Sequence, residues 1–240
     1  MTTPMTAPMT TPMDSQRFNR MLDPSPLPLE TGFTRLANGV MHVACRTDMP
    51  ACTGEMFEWW FRFRPNTQQY VWWHPVDHMF SDWLDVQANT HVGSIHKVEE
   101  MFSGRPAKQL LIQFRDPVEF FDADKLQAAR RDHAVSGLVC ARGGESWQAP
   151  RNPAGQVLGS RLVHLCRDTE WGMVLRSHFY AGWDLPAIGK TATEITAMIP
   201  DEAAPALLQH CYNEFTFLSR FLPSLFIAEN RTTHPVRVPW

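Results

Sequence analysis

The chain has 240 residues, 44% of them hydrophobic, with 22 basic side chains against 25 acidic ones. That length buries a sizeable core in one domain, or in one domain with an extension. A near-balanced charge without a basic run excludes nucleic acid and anionic membrane as expected partners, and no apolar stretch approaches the roughly 20 residues that span a bilayer.

The first residues, MTTPMTAPMTTPMD, repeat a four-residue unit and carry neither a basic nor an apolar leader region. Repeated Thr-Pro favours extended, unpacked chain, so residues 1–14 are expected as a low-complexity, disordered tail and not as a signal peptide. Residues 15–65 read as an N-terminal extension. Within it, Asn38-Gly39 signals a turn ahead of a strand from about Val40 to Cys45. In TGEMFEWWFRFR, Thr53 is placed as an N-cap, and Met56, Trp59, Trp60 and Phe63 recur at helical spacing until Pro65 stops the helix.

From about residue 90 to 182 the pattern changes to short strands separated by turns: HVGSIHKVEEMF, KQLLIQFRD, AVSGLVCAR, GSRLVHLCRDT and GMVLRSHFYAG. RDTEWG joins the last two as a hairpin. There is no Gly-rich phosphate loop and no strand–helix–strand alternation, which disfavours a nucleotide-binding fold. The segment DEAAPALLQHCYNEFTFLSRFLPSLF opens with acidic residues and reads as a helix to about Phe221, before Pro223. The expected class is α+β: a curved antiparallel sheet around a long C-terminal helix, with a cavity between them.

Five cysteines, odd in number and without C-x-x-C spacing, indicate reduced thiols in a cytoplasmic protein. Ten histidines and nine tryptophans are the unusual counts, and they concentrate in FEWWFRFRPNTQQYVWWHPVDHMF. Aromatic density of this kind serves a core or a pocket for a flat organic ligand.

His210 and Glu214 are four residues apart and fall within roughly 40° of each other on a helical wheel, in the middle of the apolar stripe. A buried carboxylate is costly unless paired or ligated, so the pair is either a hydrogen-bonded core contact or half of a metal site. A zinc site needs further ligands. One source is YVWWHPVDHMF, where His74 and His78 flank Asp77, a candidate acceptor behind a ligating histidine. Another is SIHKVEEMF, where strand alternation puts His96 and Glu100 on one face and Glu99 on the other.

The ordered blocks ETGFTRLANGVMHVACRTDMPACTGEMFEWWF, YVWWHPVDH, HKVEE, RLVHLCRDTEWGMVLRSHFYAG and HCYNEF resemble the 2,4-diacetylphloroglucinol hydrolase family, over about residues 30 to 220. The resemblance implies a Bet v 1-like, helix-grip catalytic domain over residues 66–240. It implies Zn(2+) held by two histidines and two glutamates, and hydrolysis of a carbon–carbon bond beside an aryl ketone. His210 and Glu214 match the family's helical ligands. Tyr70 and His78 reproduce the spacing of a substrate-binding tyrosine and the first histidine ligand, which favours His78 over His74. The fourth ligand falls in KVEEMF, with Glu99 chosen and Glu100 as the alternative.

For the chemistry so implied, His164 and His178 are candidates for proton handling, and Asp82 for orienting ligands or water. Tyr70, Tyr180 and His74 are candidates for contact with a small-molecule aromatic ketone. Self-association as a homo-oligomer is left open by the sequence. The competing reading is a non-catalytic helix-grip protein that binds an aromatic or other hydrophobic small molecule.

Overall fold

The structure, a computed structural model, describes residues 12–233. Helix α1 (Pro12–Asn19) precedes strands β1 (Gly32–Arg35) and β2 (Met41–Pro50), then helices α2 (Gly54–Phe63) and α3 (Thr67–Trp73). Strands β3 (His78–Leu84), β4 (Ile95–Glu100) and β5 (Lys108–Arg115) follow, then helix α4 (Ala123–Arg131). Strands β6 (Gly137–Gly144), β7 (Ser160–Thr169) and β8 (Gly172–Ala181) complete the sheet. Helices α5 (Ala192–Met198), α6 (Ala203–Ser219) and α7 (Leu222–Glu229) close the described chain.

All eight strands form one antiparallel sheet in the order β1-β2-β8-β7-β6-β5-β4-β3, with β1 and β3 at its edges. Helix α6 lies against the concave face, over β2, and this is the helix-grip arrangement expected. Successive side chains alternate between the faces. From β7, Leu162 and Cys166 join Trp60, Tyr70 and Phe215 under the helices, while Val163 and Leu165 join Phe18, Phe121 and Leu126 on the convex side. The sheet is therefore buried on both faces. Among the described residues no helix is long and apolar enough to cross a membrane.

Local sequence explains the joints. Gly39 turns between β1 and β2 at φ +88°, and a Cβ there would meet the Ala192 carbonyl oxygen at 2.7 Å, so both conformation and packing require glycine. The Thr53 hydroxyl caps α2 by accepting from the Met56 amide, and Asn66 opens α3 with a reciprocal capping box to Gln69.

Several expectations are corrected. Residues 12–14, assigned to the tail, open helix α1, and residues 1–11 lie outside the described residues. Residues 32–63 are not an appendage: β2 lies inside the sheet beside β8, and α2 packs on β6, β7 and α7. No structural break falls at residue 65. Helix α2 buries Phe57, Trp60 and Phe61, with Met56, Trp59 and Phe63 only partly covered, because it is apolar on nearly all sides. Pro223 does not merely end a helix; it sits in the first turn of α7, where its missing N–H has no helical partner to lose. Helices α3 and α4 and strand β3 were not read from the sequence at all.

Candidate metal centre and cavity

His78 opens β3 directly opposite Glu100, the last residue of β4. The next pairing is Phe80 with Glu99, so one extra residue, Met79, bulges from β3. The bulge reverses the alternation. His78 faces inward on an even number, and Ser81 faces inward on an odd one, where its hydroxyl meets His96. On β4 the inward set is His96, Val98 and Glu100. Glu99, the sequence choice for a ligand, therefore points to the other face and is only half-buried, whereas Glu100 is buried. Strand alternation is the physical reason for that correction.

Helix α6 brings His210 and Glu214 against this pair. The His78 Nε2 atom lies 3.5 Å from Glu100 Oε2 and 3.8 Å from Glu214 Oε2, and His210 Nε2 lies 3.8 Å from Glu100 Oε2. These gaps exceed the roughly 2.7–3.2 Å of a hydrogen bond. They approach the separation of about 3.3 Å between tetrahedral ligands that each sit about 2.0–2.1 Å from one ion. His78 Nε2 is buried with no hydrogen-bond partner.

The other ring nitrogens explain why. His78 Nδ1 donates to the Tyr70 carbonyl oxygen at 3.0 Å, and His210 Nδ1 donates to Asp77 Oδ2 at 3.0 Å. With Nδ1 so engaged, each ring turns Nε2 towards the carboxylates, the orientation in which a neutral imidazole would ligate an ion. His74, Asp77 and His210 also lie within ligating distance of one another. However, His74 Nδ1 already accepts from the Asp77 amide, and Asp77 Oδ2 also receives the Ser103 amide. That trio supports His210 from behind. His74 is accordingly stacked on His210 and is not among the residues that line the cavity.

Burial and mutual proximity perturb every member of the cluster. Burial raises the Glu100 carboxyl, and burial pushes Glu214 up to about 8. Burial drives His78 well below the ordinary imidazole value. At His210 burial opposes the charge, yet the Asp77 hydrogen bond and the Glu100 and Glu214 carboxylates lift it to about 9. Two carboxylates desolvated together are costly unless a positive partner joins them.

A cavity of about 210 Å³ adjoins the cluster, between the concave face and α6. An apolar cavity of about 150 Å³ accommodates benzene, so this one admits a substituted single ring. Glu100, His210 and Glu214 form its polar wall together with Tyr70, whose hydroxyl donates to Glu100 Oε2. Phe61, Phe114 and Phe179 are among its apolar walls. His164 reaches the cavity with Nδ1 at 2.8 Å from the Ser177 hydroxyl, and burial lowers its pKa to about 3.

The remaining expected residues lie elsewhere. His178 and Tyr180 occupy the convex face of β8, where His178 Nδ1 meets His42 Nε2 at 2.9 Å and Tyr180 stacks on His42. The opposite face of β8 carries Ser177, which meets His164, and Phe179, which lines the cavity. Asp82 is exposed on β3 and accepts from the Trp83 amide. Ser81, Ser177 and Phe102, whose ring lines the cavity 4.8 Å from the His210 ring, were missed by sequence reasoning. Only the strand period could have found Ser177, and the bulge at Met79 conceals Ser81.

The family described as "DAPG hydrolase PhiG domain" matches residues 13–227. A 2,4-diacetylphloroglucinol hydrolase from Pseudomonas sp is 26% identical, covering 93% of this chain and 79% of that protein. A phloretin hydrolase from Eubacterium ramulus is 27% identical, covering 84% of this chain and 73% of its own length. Among solved structures, the crystal structure of Ara h 8.0201 has a TM-score of 0.44 at 13% identity, covering 78% of this chain and 99% of that one. With the match running from helix α1 into α7 and taking in every residue of the His/Glu cluster, the chain belongs to the DAPG hydrolase PhiG domain family.

Proposed function

We propose that this protein is a metal-dependent hydrolase that cleaves the carbon–carbon bond between an acyl group and a phenolic ring of the phloroglucinol type. The observation that carries the metal reading is the convergence of two imidazole Nε2 atoms and two buried carboxylates at 3.5–3.8 Å, with His78 Nε2 unpartnered. His78, Glu100, His210 and Glu214 would hold the ion, and a nitrogen–oxygen donor set of this kind suits zinc. When bound, such an ion polarises a ketone and lowers the pKa of water.

The chain's own residues supply the rest. Asp77 and the Tyr70 carbonyl fix both imidazoles in the ligating tautomer, and the Tyr70 hydroxyl orients Glu100. The aromatic walls hold the ring flat and exclude water. In the reaction, water oxygen bonds to the acyl carbon, the bond to the ring breaks, and its electron pair stays on the ring carbon. That carbon then takes a proton, giving a carboxylic acid and the deacylated phenol. His164, a neutral imidazole held by Ser177, is the group on the cavity wall placed to relay this proton from the attacking water.

The test is metal content per chain by plasma mass spectrometry on untagged protein, wild type against His210→Ala, followed by deacylation assays on acylphloroglucinols. About one zinc in wild type, little in the variant, and chelator-sensitive deacylation are expected. Wild-type protein that takes up no metal even after incubation with zinc would sink the hydrolase reading and leave a cavity that only binds aromatic ligands.

A further inference from the structure

Lys108 opens β5 directly opposite Glu100 in the ladder. Leu110, Ile112 and Phe114 of β5 line the cavity, and the two-residue period places Lys108 on that same wall. Facing Cβ atoms in an antiparallel pair are about 4.5–5.5 Å apart. An ammonium on a flexible four-carbon arm therefore reaches whatever is held against Glu100.

Its present partner is replaceable. Lys108 donates to Glu145 Oε2 at 3.0 Å, but the two side chains are 49% and 56% exposed. An ion pair so open to water contributes little and exchanges readily. Arg105, the other lysine or arginine on the cavity wall, is engaged by the Glu202 carbonyl at the start of α6. Lys108 is thus the wall cation that stands directly beside Glu100, held only by a solvent-exposed pair.

We propose that Lys108 determines specificity by selecting substrates that enter as phenolates, exchanging Glu145 for a ring oxygen. This rests on the hydrolase reading, which supplies the phenolic ketone. The ionised ring has a chemical use, because a phenolate carries more electron density on the ring carbon that must accept the proton. A charge-assisted contact would favour the ionised form at the entrance, where desolvation is incomplete.

The test measures binding to metal-loaded protein through tryptophan emission, since Trp73 lines the cavity. The probes are 2,4,6-trihydroxyacetophenone and its trimethoxy counterpart, which cannot ionise. Lys108→Met is expected to weaken the trihydroxy probe about tenfold and leave the trimethoxy probe unchanged. Lys108→Arg should restore binding, and Glu145→Gln should tighten it. Equal loss on both probes, no loss on either, or no wild-type binding of the trihydroxy probe overturns the proposal. Binding is read on mixing, before turnover accumulates, and cleavage of the same probe is assayed separately, so a protein that binds the phenolate through Lys108 yet never cleaves it sinks the hydrolase reading alone.

Discussion

At the scale of single residues, the site depends on which of two adjacent glutamates faces inward. Glu100 shares the inward face of β4 with His96 and Val98, and Glu99 shares the outward face with Lys97. Glu100→Gln keeps the shape but removes a charge needed to balance a divalent ion. It should reduce bound metal per chain to a small fraction of wild type, while Glu99→Gln should leave it near one. The reverse order in metal analysis would mean that β4 is out of register by one residue, which flips every side chain to the other face. Asp77 matters by a different route. It fixes a proton on His210 Nδ1 and is itself held below the usual carboxylate range, chiefly by that hydrogen bond, with the Ser103 amide adding to it.

At the scale of elements, the site needs α2 seated on the sheet, and a glycine pair permits this. A Cβ on Gly137 of β6 would lie 2.6 Å from the Gly54 carbonyl oxygen, and a Cβ on Gly54 would lie 2.4 Å from the Ser136 carbonyl carbon. Neither obstacle is a flexible side chain. Gly137→Ala should therefore lift α2 and destabilise the fold by about 2 kcal/mol, the usual cost of overpacking, seen as a lower urea midpoint at unchanged slope. An unchanged midpoint would show that the two backbones separate freely. The elements differ in how far the sequence announced them. The 3.6-residue period of α6 placed His210 and Glu214 together, and Thr53 marked the start of α2 correctly. Strand faces were harder, because a sheet buried on both sides removes the polar–apolar alternation that would separate His164 from His178. The bulge at Met79 hid β3 for a related reason: it breaks the period that identifies a strand. The Tyr70–His78 spacing was legible only through resemblance, since the contact joining them runs through the Tyr70 backbone carbonyl.

At the scale of the whole molecule, burying so many histidines ties stability to acid. Away from the His/Glu cluster, burial lowers His42 and His91 to about 4, and His96, His164 and His178 to about 3. Ser81 donates to the Pro65 carbonyl, so its oxygen accepts from His96. His42 and His178 hydrogen-bond to each other and so share one proton between facing nitrogens, with Arg17 and Arg176 adding positive charge nearby. The unfolded chain binds a proton at each histidine near pH 6.5. Because the folded values lie below that, these groups contribute stability that is present above pH 6.5 and lost as pH falls towards 4 and then 3. Unfolding near pH 5 should take up at least two protons, which corresponds to a loss of about 2.7 kcal/mol per pH unit. Urea midpoints should fall steeply below pH 6.5, with His178→Asn showing a shallower fall. A midpoint that stays level from pH 7 down to 4.5 would mean that water enters the core and solvates these rings, against the burial on which the acid dependence rests.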